Sequence, residues 1–479
     1  MLNIHRLIYR SPDVAWNTTT THLLSVIRLS SAPQPIRIQA ARILDEILTI
    51  VPRNLSTTGD LRAEVQRRVL DVLAQQIIPE NPSSFISSSA DAELRRMGLE
   101  TLHQILQASG HTLVIGWETI FEMLGSVCKP PPPLKSQSET TLNSLASHPP
   151  KPSPLGYTTE KSYTALIKIA FQSLTLVCDS VSSLSPEHLR LCISTLGQFG
   201  RQADTNIALT AAESLLWSVS DSIQAKRKDA SQEPEYSTLW MSLLLEVLGL
   251  CNDERAEVRT GAVQTLFRTM QLYGATLSLG TWEDCIWKIT FPLLDSITAE
   301  IRLNATSMPN PEENPGADWD ESKILALHSI GSIIHDFLTS KIMRLESFSK
   351  TWDVFVNHIQ DSVLLDNRVI SAPALRCLEK AIKAAGTAEE GLMPQVSVAW
   401  ERVWEACERI GAAVIERPAE ISTENSQPPT PFTQESLVAL VDVIRNTRVV
   451  GRRVDHVEWP LDRLSRLMDI LKGSYTSSR

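Results

Sequence analysis

The residues able to do chemistry are scattered along this chain rather than gathered. Seven cysteines, Cys128, Cys178, Cys192, Cys251, Cys285, Cys377 and Cys407, stand singly inside apolar segments, with no paired spacing and an odd total. They predict no disulfide framework and a reducing compartment. Ten histidines are dispersed, and His328 and His335 share one predicted helix two turns apart without neighbouring ligands, so they read as surface or core histidines rather than as a metal pair. The carboxylate pairs Glu312-Glu313 and Glu389-Glu390 fall in loops or at helix ends, where nothing apolar would split their pKa values. The loop from Ala299 to Asp318 is acidic, but Pro315 takes the place where a calcium loop needs glycine. No GxxxxGK[ST], GxGxxG, HExxH, GxSxG or CxxC occurs. The expectation is a chain that is not an enzyme, with no catalytic residue, no cofactor and no metal.

What remains is a pattern of elements. In Asp253 to Met270, apolar Val258, small Ala262, apolar Leu266 and apolar Met270 recur every four residues along one helical face, and Val263 widens the stripe. The same register returns as Ile36, Ala40, Leu44, Leu48; Leu94, Gly98, Leu102, Leu106; Leu166, Ala170, Leu174, Cys178; and Ile207, Ala211, Leu215, Val219. It returns again as Leu325, Ser329, Ile333, Phe337 and as Ile370, Ala374, Leu378, Ile382. A small residue at the second site lets two helix backbones approach closely, as stacked helix pairs require. Near the first site stand Arg37, Arg95, Arg259 and Lys323, expected along the solvated edge of the groove. Between copies run amphipathic segments carrying Trp117-Glu118, Trp282-Glu283, Trp352-Asp353 and Trp400-Glu401, in which the indole opens the helix and packs in the core.

These features predict an all-α fold: a HEAT/armadillo-like α-solenoid of about eight helical pairs, closed by a final helix. The expected organisation is N-terminal repeats over 1–128, a Pro/Ser-rich disordered insertion over 129–157, central repeats over 158–415, a Pro-rich loop over 416–432 and C-terminal capping helices over 433–479. The structural repeat signature is assigned to Val258, Arg259, Ala262, Leu266, Met270, Trp282 and Trp287. A net charge of −10 has the wrong sign for a protein that holds phosphate backbones, so nucleic acid is not expected as a partner. The most apolar run, Leu239 to Cys251, is broken by Glu246 and too short to span a bilayer, and the N-terminus has no apolar stretch of signal-peptide length. A soluble, cytoplasmic chain is the expectation.

One block is more specific than the register. Leu250 to Met270, Tyr273-Gly-Ala-Thr-Leu, Thr281 to Asp295 and Trp319 to Leu327 resemble the C-terminal region of the Mon-two family, over about 250 to 340. The resemblance implies a large peripheral scaffold of Golgi and endosome membranes, related to the big Sec-seven exchange factors for Arf GTPases but lacking their exchange domain. It implies partners of three kinds: a Dopey-family protein, an Arf-like GTPase and, indirectly, a phospholipid flippase. The family's N-terminal dimerisation and membrane-targeting regions are not recognisable, so a middle-to-C-terminal fragment or a shortened gene model is expected. The register alone also fits the C-terminal regulatory repeats of a large Arf guanine-nucleotide exchange factor, which stays open as an alternative.

Overall fold

The computed structural model describes residues 12–54, 59–79, 89–110, 113, 115–128, 154–227, 233–306, 315–365, 367–416, 432–455 and 461–477. The described residues are helical and contain no strand. They form two compact units, 1–226 and 227–479.

The first unit holds α1 (Pro12–Arg28), α2 (Gln34–Asn54), α3 (Gly59–Ile77), α4 (Ser89–Ser109), α5 (Trp117–Gly125), α6 (Pro154–Asp179), α7 (Pro186–Gly200) and α8. Helix α8 runs Thr205–Ser214, widens to a π-turn at Leu215–Val219 and ends as Ser220–Lys226. Odd-numbered helices pack in one layer and even-numbered helices in the other, each pair stacking on the next. The second unit repeats the plan. Its outer series is α9 (Glu233–Leu250), α11, α13 (Phe348–Leu364), α15 (Met393–Glu416) and α17 (Leu461–Ser477). Helix α11 comprises Leu279–Asp284, a π-turn at Cys285–Thr290 and Phe291–Thr306. Its facing series is α10 (Ala256–Tyr273), α12 (Pro315–Phe337), α14 (Arg368–Ala385) and α16 (Gln434–Asp455). The fold is an α-solenoid of the HEAT type.

Local chemistry sets the helix starts. The Ser185 hydroxyl accepts from the His188 amide at 3.2 Å ahead of Pro186, and the Asp204 carboxylate accepts from Asn206 and Ile207 at 3.0 and 3.3 Å. Thr433 and Ser436 cap each other at 2.8 and 3.1 Å. Each satisfies amides that an N-terminal turn leaves without a carbonyl. Before α5 the chain turns through Gly116 at φ +87°, where a Cβ would also lie 2.4 Å from Leu70 Cδ1.

The buried stripes follow the register with two exceptions. Ile36 is 55% exposed, and the stripe of α2 begins at Ala40. In α12 the deepest line is Ser322, Ala326, Ile330, Ile334, three residues before the expected one, and Leu325 and Ser329 are only half-buried. In both helices the neighbouring cation, Arg37 or Lys323, is buried and meets acceptors of the preceding helix. Helix α1 starts at Pro12, where burial of Trp16 and Thr20 outweighs the poor helix propensity of the Thr18–Thr21 run.

The expected insertion at 129–157 lies outside the described residues up to 153, as does 307–314 of the acidic loop and 417–431 of the Pro-rich loop.

Candidate functional site

The signature residues converge in the second unit. Val258, Ala262, Leu266 and Met270 are fully buried along α10, and Trp282 of α11 is buried beside them. The Trp282 indole donates to Gly274 O at 2.8 Å and lies 5.0 Å from the Phe337 ring. Trp352 and Trp400 repeat the device one and two pairs later, donating to Ala399 O at 3.2 Å and Thr447 O at 2.8 Å. Trp282 thereby ties α11 back to the turn that ends α10, Trp352 joins α13 to α15, and Trp400 joins α15 to α16. Only Trp117 opens its helix; Trp282, Trp352 and Trp400 sit further in, so their acidic neighbours lie beyond the reach of the helix N-terminus. Asp353 instead bonds Arg402 of the following outer helix. Between Trp282, Trp352, Phe355 and Met270 lies an apolar void of about 40 Å³. Its lining offers no polar group to a guest, which makes it a packing gap rather than a cofactor cavity.

Trp287 differs from the other signature residues. It sits on the α11 π-turn, half-exposed, edge-on to Phe291 at 5.2 Å and beneath Lys350 Nζ at 4.9 Å. Phe291 stacks on His358 at 5.3 Å, and burial lowers the His358 pKa against the opposing pull of Asp295. In both π-turns a hydroxyl takes the displaced carbonyl five residues back: Ser220 bonds Leu215 O and Thr290 bonds Cys285 O, each at 3.1 Å.

The four register cations are the clearest correction to the sequence reading. They are buried, not solvated, with Arg259 and Lys323 at 0% exposure. Arg37, Arg95 and Arg259 follow the first register site by one residue and Lys323 precedes it by two. Arg37, Arg95 and Lys323 reach back to the preceding helix, whereas Arg259 bonds the turn before its own helix and the following α12. Arg37 donates to Ile27 O at 2.7 Å and pairs with Asp91, and Arg95 donates to Ile77 O at 2.8 Å and Ser126 O at 3.1 Å. Arg259 donates to Asp253 O and to the Ser322 hydroxyl, both at 2.8 Å, and stacks 3.8 Å over the Trp319 ring. Lys323 donates to the Thr298 hydroxyl at 2.7 Å and to Leu294 O at 3.3 Å. Burial lowers the Arg259 pKa and brings the Lys323 amine down to about 8. These cations fasten pair to pair. For the three arginines, a base repeated directly after the first register site was the sequence signal for it.

In the first unit, a polar groove of about 470 Å³ between α2 and α4 is lined by Arg42, Asp45, Glu46, Glu93, Arg96 and Glu100. Burial, reinforced by Glu100, pushes the Asp45 carboxyl up to about 6, and its Oδ1 has no hydrogen-bond partner among the described residues.

The facing series of the second unit also carries polar cross-links at its surface. Gln271 of α10 donates to Asp336 of α12 at 3.0 Å, and Lys380 of α14 approaches Ser332 of α12 at 3.5 Å. Arg376 of α14 bridges Glu379 and Asp442 of α16 at 2.8 Å each. Of these links the one between Gln271 and Asp336 is exposed, and those of Lys380 and Arg376 are part-buried.

Residues 227–428 match the model for the C-terminal region of Mon2 protein. Over this segment the chain is similar to the Mon2 family. The Mon2 homologue of Drosophila melanogaster is 27% identical over 433 residues, covering 82% of this chain and 23% of its own length. That of Homo sapiens is 25% identical over 439 residues, covering 82% and 22%. The chain thus spans less than a quarter of the length of these Mon2 relatives. A more distant relative is the ARF guanine-nucleotide exchange factor GNL1 of Arabidopsis thaliana, 20% identical over 359 residues, 72% of this chain and 21% of that protein. Among solved structures, a circular tandem repeat protein aligns over 97% of both chains with a TM-score of 0.36 and 12% identity. Importin β aligns over 96% of this chain and 69% of its own with a TM-score of 0.25 and 9% identity. The Mon2 match contains all seven signature residues, from Val258 to Trp287. No helix among the described residues is long and apolar enough to cross a membrane.

Proposed function

We propose that this chain is a non-catalytic scaffold of Golgi and endosome membrane trafficking, cytoplasmic and peripheral to those membranes, which binds partner proteins along its helical-repeat surface. The observation that carries the reading is the Mon2 C-terminal match over 227–428, on helices whose exposed faces are laid out as cross-linked polar rows. Its partners on this reading are a Dopey-family protein and an Arf-like GTPase, and through them a phospholipid flippase. Pull-down of purified Dopey-family protein and Golgi Arf-like GTPases on the immobilised chain tests it. Enrichment over an unrelated HEAT-repeat protein is the expected result, and equal recovery on both surfaces overturns it.

A second reading is favoured by the relationship to the Arabidopsis exchange factor: these are C-terminal regulatory repeats of a large Arf exchange factor. A nucleotide-release assay on the full-length gene product separates the two. Accelerated release of GDP from an Arf GTPase supports the exchange factor, and an unchanged rate supports the scaffold.

A further inference from the structure

We propose that the exposed face of α14 and α16 binds an acidic amphipathic helix of a partner protein. This deepens the scaffold reading, on which it rests, by giving one partner surface its chemistry.

The two helices run side by side in a fixed register. Arg376 bonds Asp442, Asn446 bonds Glu379 and Arg453 bonds Ala388 O, so that contacts join residues 65 to 67 positions apart. Lys380 and Lys383 therefore lie level with the stretch of α16 that carries Arg445, Arg448 and Arg452. Together the helices hold eight basic residues against four acidic ones, Glu379, Glu435, Asp442 and Asp455, in a chain of net charge −10. Of those acids, Glu379 and Asp442 are already engaged by Arg376. Lys383, Arg448 and Arg452 are exposed and have no ion-pair partner among the described residues. A concentrated positive face on an acidic chain attracts and orients a negatively charged partner.

The same face is apolar in part. Val438, Val441 and Val449 of α16 are 50%, 39% and 57% exposed, and Val369 at the start of α14 is exposed as well. With Arg445, Arg448 and Arg452 these valines occupy one helical stripe, spaced by three, four and seven residues. Such a stripe matches the i, i+3, i+7 anchors of a helix laid across it, with apolar contacts flanked by ion pairs. An anionic membrane would meet the same charge, but helices that lie in a membrane interface insert Trp, Phe or Leu, and this stripe offers only valine. The face fits a protein helix with Leu or Ile along one edge and Asp or Glu on both flanks.

The test uses a labelled peptide of about 18 residues, with Leu at i, i+3, i+7 and i+11 and Glu on the flanks, and its counterpart with Lys in place of Glu. Binding to the full chain is followed by fluorescence anisotropy at low and physiological salt. The acidic peptide should bind, the lysine peptide should not, and R445E/R448E/R452E should weaken the acidic peptide by about tenfold or more. The triple variant should in turn take up the lysine peptide, a gain that a merely unfolded variant could not produce. V438S/V441S/V449S, which keeps the charge, should also weaken the acidic peptide. Equal binding of both peptides, or acidic-peptide binding that survives charge reversal, overturns the proposal. So does cosedimentation with phosphatidylserine vesicles that the triple variant abolishes while no peptide binds. The Dopey pull-down is read independently, so either result stands without the other.

Discussion

Lys323 gives the sharpest test of the buried-cation reading. Its amine is fully buried between α11 and α12, with the Thr298 hydroxyl at 2.7 Å and Leu294 O at 3.3 Å as its acceptors. Burial brings its pKa from 10.5 to about 8, against the opposing pull of Asp295. Such a shift corresponds to about 3 kcal/mol by which the fold disfavours the charged form. Because the folded-state pKa is the lower one, the unfolded chain binds more protons between about 8 and 10.5. Wild-type stability should therefore rise over that window, and the penalty is complete below it. Lys323→Met keeps the unbranched stem and removes the charge, and Thr298 still donates to Leu294 O at 2.6 Å. The variant should be more stable than wild type by about 1 to 3 kcal/mol at pH 7, and the gap should close as pH approaches 10. Urea midpoints from tryptophan fluorescence, taken at several pH values, measure this. A variant that is less stable at pH 7, or a difference that does not change with pH, refutes the argument.

Ala262 and Asp45 test the packing and the groove. Ala262→Phe should overpack the α10 interface, where Ala262 is fully buried, and cost about 1 to 3 kcal/mol; an unchanged melting temperature counts against the register. For Asp45 the folded pKa of about 6 lies above the ordinary 3.8, so its protonation stabilises the fold below 3.8 and that stabilisation is lost as pH rises through 6. Asp45→Asn should remove this dependence, stabilising the chain by about 1 to 2 kcal/mol at pH 7 and by little at pH 4. Calorimetric scans at both pH values decide it, and equal shifts at both rule the mechanism out.

The fold was legible because a helix that buries one face must repeat its apolar residues at a fixed interval, and seven stretches did so. Helix α12 shows the limit of that signal. Its apolar residues Leu325, Leu327, Ile330, Ile333, Ile334 and Phe337 cover more than one face, so hydrophobicity alone admits two registers three residues apart. Lys323 is buried with the deeper line, and its partners belong to α11 and are not visible from its own helix. The buried arginines were misread for the same reason. A base beside an apolar site looks the same whether it meets water or a carbonyl of the preceding helix. The π-turns left no sequence trace that periodicity could detect, since Ser220 and Thr290 act on carbonyls five residues back.

The split between what holds the second unit together and what it presents explains why its partner surface was harder to find. The apolar stripe, the indoles of Trp282, Trp352 and Trp400, and the buried cations Arg259 and Lys323 all point into the layer between the helix series. None of them depends on the residues facing outward from α14 and α16. Those outward positions are therefore free to carry charge without cost to the core, and a substitution there changes stability by only a few tenths of a kcal/mol. Periodicity reports on the inward residues alone. The outward reading has to come from charge counted on a folded face, where Lys383, Arg445, Arg448 and Arg452 gather although they come from helices some 65 residues apart in the chain.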